Sequence, residues 1–339
     1  MTDLGIRELP PPGRMSPRQR LAYWRYRALW GAVSHAPDGM VRRSARRVGS
    51  WWMRTASPRQ RAQVRANLQR IVPGASPGEL ADLVHEAYVS YARYWIDSFR
   101  LHRMNSESLA SATQGEGLAH GDAIRDAGQG GIFATAHLGS WDVGARFIAD
   151  RGWRMVVVAE VVEPRPLFER FVRLRQASGI EVIPLTRGAD VVRQLEKRVV
   201  EGGRMATLLA DRDLTRRGPI VEFFGEPCRL PSGVTMLAQR TGRPVIVGAY
   251  LADRDGYRAV VSPPLQLDTV SIYDGTQQVA TALEALIARF PDQWHVFVRN
   301  WLVDREPKHP VVESYQRGDD WRDIARSERR VYGGDRQRR

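Results

Sequence analysis

The 339-residue sequence predicts an α/β fold in which a central mixed β-sheet is flanked by helices and preceded by an amphipathic helical region. Two observations lead to this prediction. From about residue 115 onward, short runs of β-favouring residues alternate with segments of helical period, which is the pattern of a sheet with helices on its faces. Before that point the apolar residues follow the helical period only.

Helix-start signals define the amino-terminal region, residues 16–110. Ser16 followed by proline, and Ser76 followed by proline and Glu79, are typical first residues of helices. The apolar positions after Ser76 keep the helical period to about residue 104. We therefore predict a disordered, proline-rich stretch over 1–15, then helices from residue 16, after Pro37, over 58–72 and over 76–104.

Arginine is concentrated in this amino-terminal region. Residues 1–70 contain fifteen arginines against three acidic residues, a net of +12 out of +13 for the chain. Compositional bias explains why the cations are arginine, but not why they cluster. Tryptophan mixed with arginine on amphipathic helices suits the headgroup layer of an anionic membrane, whereas charge alone also suits nucleic acid. The alternative is that Trp24, Trp30, Trp51 and Trp52 simply pack these helices on the core.

The core, residues 111–303, contains the alternating strands and helices. Strands are predicted over 131–137, 155–161, 181–185, 205–210, 220–224, 244–250 and 257–262. Helices are predicted over 142–150, 166–177, 188–201, 232–241 and 275–290. Residues 304–339 are charged and poor in aliphatic residues, so we expect a flexible tail.

Several classes of protein are disfavoured by what the sequence lacks. There is no run of about 18 apolar residues, and the first twenty residues have no apolar signal-peptide core. The single cysteine, Cys228, excludes an internal disulfide and a cysteine-based zinc cluster. No glycine pattern of the dinucleotide or P-loop type and no G-x-S-x-G serine is present.

A histidine and two aspartates mark the candidate site. His137 ends the predicted strand 131–137, and Asp142 lies five positions later across a turn. Asp211 follows the strand 205–210, and functional residues of α/β sheets gather where strands end, so it is a second candidate partner. A carboxylate beside a histidine stabilises the imidazolium and so prepares a general base. The residues alone fit a purely structural pair equally well.

A general base without a nucleophilic side chain or a metal suits direct transfer of an acyl group to a hydroxyl. The sequence also resembles a known family. HLGSWD resembles the H-x4-D motif of glycerolipid-type acyltransferases. The wider pattern resembles bacterial lysophospholipid and lipid A-type acyltransferases, closest to the actinobacterial phosphatidylinositol mannoside acyltransferases, over roughly residues 20–303. The supporting stretches are RANLQRIVPG, GIFATAHLGSWD, LLADRDLTRRGPIVEFFGEPCRLPSGVTMLAQRTGRPVIVG and PDQWHVFVRNW.

The resemblance implies an activity and a location. A fatty acyl chain, palmitoyl from acyl-CoA, would pass to a mannose hydroxyl of a phosphatidylinositol mannoside. The protein would be attached peripherally to the cytoplasmic face of the plasma membrane. Beyond acyl-CoA as co-substrate we expect no cofactor and no metal. The expected partners are acyl-CoA, the glycolipid and an anionic membrane surface, with no nucleic acid.

The same resemblance implies roles for residues. His137 would be the base, Asp211 would complete the relay and Asp142 would help to orient the site. Some relatives carry the longer glutamate near position 211, so which carboxylate contacts the histidine stays open. Arg175 matches a basic position of the family, although a surface arginine on a helix fits as well. The predicted substrate-contacting residues are Arg175, Asp213, Glu222, Arg229 and Ser232.

Two other functions stay open. A lipid A late acyltransferase would use the same chemistry with acyl carrier protein as the donor. A non-catalytic basic protein would bind lipid or nucleic acid through the arginine cluster and would not need His137.

Overall fold

The strand-forming runs of the core assemble into one mixed sheet. The computed structural model describes residues 15–186 and 190–328. The sheet strands are β1 (Thr113–Glu116), β2 (Gly131–Thr135), β3 (Met155–Glu160), β4 (Glu181–Leu185), β5 (Met205–Leu209), β8 (Val245–Ala252) and β9 (Tyr257–Val261). They lie in the order β1-β9-β8-β2-β5-β3-β4, and all neighbours are parallel except β8 and β9. A separate antiparallel hairpin contains β6 (Ile220–Phe223) and β7 (Glu226–Arg229).

Helices form the amino-terminal region and cover the sheet. Ser16 and Ser76 each form a capping box with the residue three positions on, which confirms both helix starts. The α-helices are α1 (Pro17–His35), α2 (Asp38–Thr55), α3 (Pro58–Ile71), α4 (Pro77–Arg100), α5 (Ser106–Ser111), α6 (Leu118–Asp126), α7 (Trp141–Asp150), α8 (Arg165–Ala177), α9 (Val191–Val200), α10 (Gly233–Thr241), α11 (Ile272–Arg289), α12 (Leu302–Arg305), α13 (Pro310–Arg317) and α14 (Arg322–Ser327). The prediction of a mixed sheet flanked by helices is therefore confirmed.

Strand β2 lies in the interior of the sheet, between β5 and β8. All five of its residues are buried, as its sequence GIFAT allows, because it contains no charged side chain that would need water. It ends at Thr135, two residues earlier than predicted, and the Thr135 carbonyl accepts a hydrogen bond from the Ala210 amide just past β5. The residues that follow these two parallel strands consequently emerge side by side.

The carboxyl-terminal segment corrects one prediction. Residues 304–328 are not a flexible tail, because they contain α13 and α14. Val311, Val312 and Trp321 are buried against Ile220 and Leu302. These few apolar residues are enough to pack the segment against the rest of the protein. Residues 329–339, and the predicted disorder of residues 1–14, lie outside the described residues.

The amino-terminal helices share the core of the sheet domain. Gly49 of α2 lies directly on α4, where a Cβ atom would come within 2.5 Å of the Val89 Cα. Trp30 is 3% exposed and stacks on Phe99 with 4.9 Å between ring centroids. Trp24 and Trp51, by contrast, are 57% and 60% exposed, so packing does not account for all the tryptophans. None of the helices in the described ranges is long and apolar enough to cross a bilayer.

Asn67 on α3 joins these helices to the chain segment that follows α11. Its side chain is 1% exposed, and Nδ2 donates to the carbonyls of Val296 at 2.7 Å and Val298 at 3.0 Å. One buried amide thus satisfies two carbonyls that lie more than two hundred residues away in sequence.

We expect Asn67→Ala to lower the free energy of unfolding by about 2 kcal/mol, because it leaves buried acceptors without a donor. Urea unfolding of the full chain measures this. Arg65→Ala, at an exposed position of the same helix, is the control and should change stability by less than about 0.5 kcal/mol. Equal effects of the two substitutions would contradict the proposed link.

Candidate active site

His137 and Asp211 meet where β2 and β5 end. His137 follows β2 by two residues and Asp211 follows β5 by two residues, and the parallel pairing of the strands brings them together. His137 Nδ1 lies 2.8 Å from Asp211 Oδ1, and the His137 backbone N–H donates to Oδ2 at 2.9 Å. Of the two candidate partners for the histidine, the structure selects Asp211.

Asp211 is a fully buried carboxylate surrounded by donors. Trp294 Nε1 donates to Oδ2 at 2.8 Å, and Asn300 Nδ2 donates to the Asp211 carbonyl at 2.9 Å. Burial would raise the pKa of Asp211, but the charge of His137 and the hydrogen bonds from His137 and Trp294 outweigh burial and hold that pKa below its ordinary value.

This geometry fixes the tautomer of His137. An ionised carboxylate only accepts hydrogen bonds, so Nδ1 must carry the proton that is shared with Asp211. The remaining nitrogen, Nε2, has no hydrogen-bond partner within residues 15–186 and 190–328. The His137 side chain is 27% exposed, so a ligand can reach the ring. The pair can therefore act as a general base with Nε2 as the accepting atom.

The turn after His137 is held by backbone contacts. Gly139 has φ +68°, and a Cβ atom there would lie 2.2 Å from the Tyr250 carbonyl oxygen, so only glycine fits. The Gly139 amide donates to the Gln293 carbonyl, and the Ser140 amide donates to the Tyr250 carbonyl. The turn delivers Trp141 to the first position of α7, with its ring 5.7 Å from that of His137.

Asp142 faces away from the histidine. Its Oδ1 accepts from Arg175 Nε at 2.8 Å, and its Oδ2 accepts from the Tyr94 hydroxyl at 3.1 Å and the Ser98 hydroxyl at 3.3 Å. Burial alone would lower the pKa of Arg175, but Asp142 outweighs it and raises that pKa. Asp142, on α7, is therefore joined to α8 by an ion pair and to α4 by two hydrogen bonds. It makes no hydrogen bond to His137.

Comparison with known proteins assigns a family. Residues 13–303 match the family model of the bacterial lipid A biosynthesis acyltransferases. The chain belongs to this family. The phosphatidylinositol mannoside acyltransferase of Mycobacterium tuberculosis (strain CDC 1551 / Oshkosh) is 34% identical over 300 residues, 88% of this chain and 94% of the relative. A protein of the same name from Mycolicibacterium smegmatis is 33% identical over 280 residues, 82% of this chain and 91% of the relative.

The protein is thus an acyltransferase of the lipid A and phosphatidylinositol mannoside type, which confirms the family that the motifs predicted. The matched region includes both His137 and Asp211 as well as the segment that follows α11. The match also includes α1 to α4, so the basic helices are part of the family fold rather than an appendage.

Arg229 is the clearest departure from the predicted substrate contacts of this acyltransferase. The residue is 2% exposed, and its guanidinium pairs with Glu306 at 3.1 Å and Glu328 at 3.0 Å. The charge of this buried cation is already met by two carboxylates, so Arg229 presents no unpaired charge to a donor phosphate in this structure. Arg229 instead anchors the carboxyl-terminal helices to β7.

Other predicted substrate contacts are also engaged within the protein. Asp213 is buried and accepts from Thr215 and Gly218, which closes the loop after β5. Glu222 pairs with Arg322, and the Ser232 hydroxyl lies 3.4 Å from Met236 Sδ. Within residues 15–186 and 190–328, none of Asp213, Glu222 and Ser232 is hydrogen-bonded to His137 or Asp211.

Three residues next to the pair were not predicted from the sequence as part of the site: Trp294, His295 and Asn300. The His295 amide donates to the His137 carbonyl at 2.7 Å, and its ring lies near Trp141, 5.9 Å between centroids. Burial lowers the pKa of His295 to about 3, and the charge of His137 acts in the same direction, so the ring is neutral. The tryptophan-rich block PDQWHVFVRNW was the only signal that could have pointed to them.

Asp97 on α4 supports the turn after His137. Its Oδ2 accepts from the Ser140 hydroxyl at 3.2 Å and lies 3.7 Å from Arg93 Nε. Burial raises the pKa of Asp97 to about 6, and Arg93, Tyr257 and Ser140 reduce the effect without cancelling it. The folded protein therefore favours the neutral carboxyl below pH 6.

This acid gives the acyltransferase a specific pH dependence. Because the pKa of Asp97 is higher in the folded state, its contribution to stability is present below about pH 4 and is lost as the pH rises through about 6. We expect the stability of the wild type relative to Asp97→Asn to fall by about 2 kcal/mol between pH 4 and pH 7. Urea unfolding at each pH measures the difference, and two parallel pH profiles would contradict the assignment.

Proposed function

We propose that this acyltransferase moves a fatty acyl chain, palmitoyl from acyl-CoA, to a mannose hydroxyl of a phosphatidylinositol mannoside, with His137 as the general base. The observation that carries the proposal is the His137–Asp211 pair, in which a buried carboxylate holds Nδ1 and leaves Nε2 accessible. The acceptor is inferred from the relatives, which are named phosphatidylinositol mannoside acyltransferases and match over most of their length.

The reaction requires only one base. His137 Nε2 takes the proton of the acceptor hydroxyl as its oxygen attacks the thioester carbonyl carbon. The carbon–sulfur bond then breaks, the proton on Nε2 passes to the departing CoA sulfur, and the ester is formed. Asp211 stabilises the imidazolium between these two steps without taking its proton.

A covalent acyl-enzyme is not part of the proposal. The sole cysteine, Cys228, is buried, and burial raises the pKa of its thiol. A thiol of this kind is a poor nucleophile. The donor and acceptor must therefore be bound together, with the hydroxyl between His137 Nε2 and the thioester carbon.

We expect His137→Ala to lower kcat by about a hundredfold to ten-thousandfold, because the general base is lost. The assay follows acyl transfer by the purified protein, with CoA and carrier-protein thioesters as donors and mannosylated phosphoinositide and lipid A precursor as acceptors. His102→Ala, at an exposed histidine elsewhere, is the control.

The combinations of donor and acceptor separate the competing functions. Transfer to the lipid A precursor from the carrier protein alone would favour the late acyltransferase, a reading supported by the name of the matched family. Unchanged transfer by His137→Ala would overturn the mechanism. Absence of transfer from every donor would favour a non-catalytic binding protein.

We also propose that the acyltransferase is bound peripherally to the cytoplasmic face of the plasma membrane through α1 and α2. Large apolar side chains of these helices are exposed: Leu21, Trp24, Leu29, Met40 and Trp51. Exposed arginines lie on the same two helices, and Arg27 is placed 5.1 Å from the centre of the Trp24 ring. Such a surface places rings at the depth of lipid headgroups and cations on their phosphates.

A series of aromatic rings connects α2, one of these two helices, with the active site. Trp52 of α2 packs on Tyr91 with 5.0 Å between centroids. Farther along α4, Tyr94 stacks on Trp141 at 3.8 Å, and Trp141 lies next to His137. These contacts join α2, through α4, to the turn that follows His137.

We expect the double substitution Trp24→Ser and Trp51→Ser to weaken binding to vesicles containing anionic phospholipid by at least about tenfold, because both exposed rings are lost. Co-sedimentation at low and high salt measures the binding. Ile324→Ser, at an exposed apolar residue of α14, is the matched control and should bind like the wild type. Equal binding by all three proteins at both salt concentrations would refute the membrane surface.

A further inference from the structure

The segment after α11 surrounds the catalytic pair with hydrogen-bond donors. Trp294 Nε1 donates to Asp211 Oδ2 at 2.8 Å, and Asn300 Nδ2 donates to the Asp211 carbonyl at 2.9 Å. The His295 amide donates to the His137 carbonyl at 2.7 Å. These contacts link both members of the pair to the segment after α11.

We infer that Trp294 is a positioning residue for acyl transfer, and that its indole N–H sets the rotation of the Asp211 carboxylate so that Oδ1 faces His137 Nδ1. The inference rests on the proposed function, in which His137 is the base. Rotation about the last bond of an aspartate is only weakly restricted by its own geometry, so the surroundings must fix it.

The pattern of donors explains how the rotation is fixed. Oδ2 accepts both from the His137 amide and from Trp294, which leaves Oδ1 as the acceptor for the imidazole. An indole nitrogen donates only, so Trp294 cannot reverse its role or remove the proton of the pair. It therefore stabilises the carboxylate while leaving the proton on Nδ1.

Trp294 can perform this role because its ring is immobilised. The residue is 1% exposed, and its ring packs edge-on against Phe223 and Trp301, at 6.2 Å and 5.8 Å between centroids. The backbone of Trp294 also forms an antiparallel bridge with Leu138, the residue after His137. The indole N–H of Trp294 and the imidazole of His137 are consequently held in a fixed position relative to each other.

Since Trp294 is buried behind Asp211, it should affect turnover and not the binding of substrates. We expect Trp294→Phe to lower kcat about tenfold to a hundredfold, through loss of a hydrogen bond to a buried charge, with KM for donor and acceptor within about twofold of wild type. Phenylalanine keeps most of the ring, so packing changes little.

The chain offers a matched control in Trp301→Phe. Trp301 is 0% exposed, and its Nε1 donates at 2.8 Å to the Phe223 carbonyl rather than to the catalytic pair. Both variants lose one buried indole hydrogen bond and keep most of the ring, but Trp301→Phe should keep kcat within about threefold. In the Asp211→Asn background, Trp294→Phe should have less than about twofold further effect on kcat, because it acts through the carboxylate.

A second readout does not depend on turnover. The proton on His137 Nδ1 is observed by proton NMR of protein labelled with ¹⁵N-histidine, and we expect its resonance to move in Trp294→Phe and to stay in place in Trp301→Phe. If the wild type transfers no acyl group, the proposed function fails and the resonances decide the inference alone. Equal resonances in the two variants, or equal kcat values where transfer occurs, would overturn it.

Discussion

The ionised carboxylate of Asp211 is the constraint on which the site depends. A carboxylate that is fully buried must be compensated by hydrogen bonds and by an opposite charge. Here the donors come from two places far apart in sequence, the end of β2 and the segment after α11. Since Asp211 itself follows β5, one acidic group requires three segments of the chain to meet at one point.

The α/β core could be predicted because its strands are chemically distinctive. β2, with no charged residue and buried throughout, reads as a strand from its composition alone. β1 does not, because TQGE is a short, largely exposed edge strand without an apolar pattern. The docked helices α13 and α14 were missed since Val311, Val312 and Trp321 are few in a charged segment, and their partner Ile220 lies some ninety residues earlier.

The position of His137 in the site could be predicted from the sequence, but the choice between Asp142 and Asp211 as its partner stayed open. His137 was identified by its place at a strand end and by the H-x4-D spacing. Asp142 lies near it in sequence, yet α7 begins at Trp141 and turns the aspartate toward Arg175. Selecting Asp211 requires knowing that β2 and β5 are neighbours in the sheet. A local sequence pattern does not predict which strands pair. The ion pairs of Arg229 could not be predicted for the same reason, because its carboxylate partners are distant in sequence.

Helix α4 connects Asp142 and the turn after His137 with the amino-terminal helices. Its Tyr94 and Ser98 donate to Asp142, and the ring of Tyr94 stacks on Trp141 beside His137. The same helix carries Phe99, on which the buried Trp30 of α1 rests. An enzyme that takes its acceptor from a membrane must hold its base at a fixed depth below that surface. Asp142 suits this requirement better than a proton relay, because it ties the histidine turn to α4, the helix against which α1 and α2 pack.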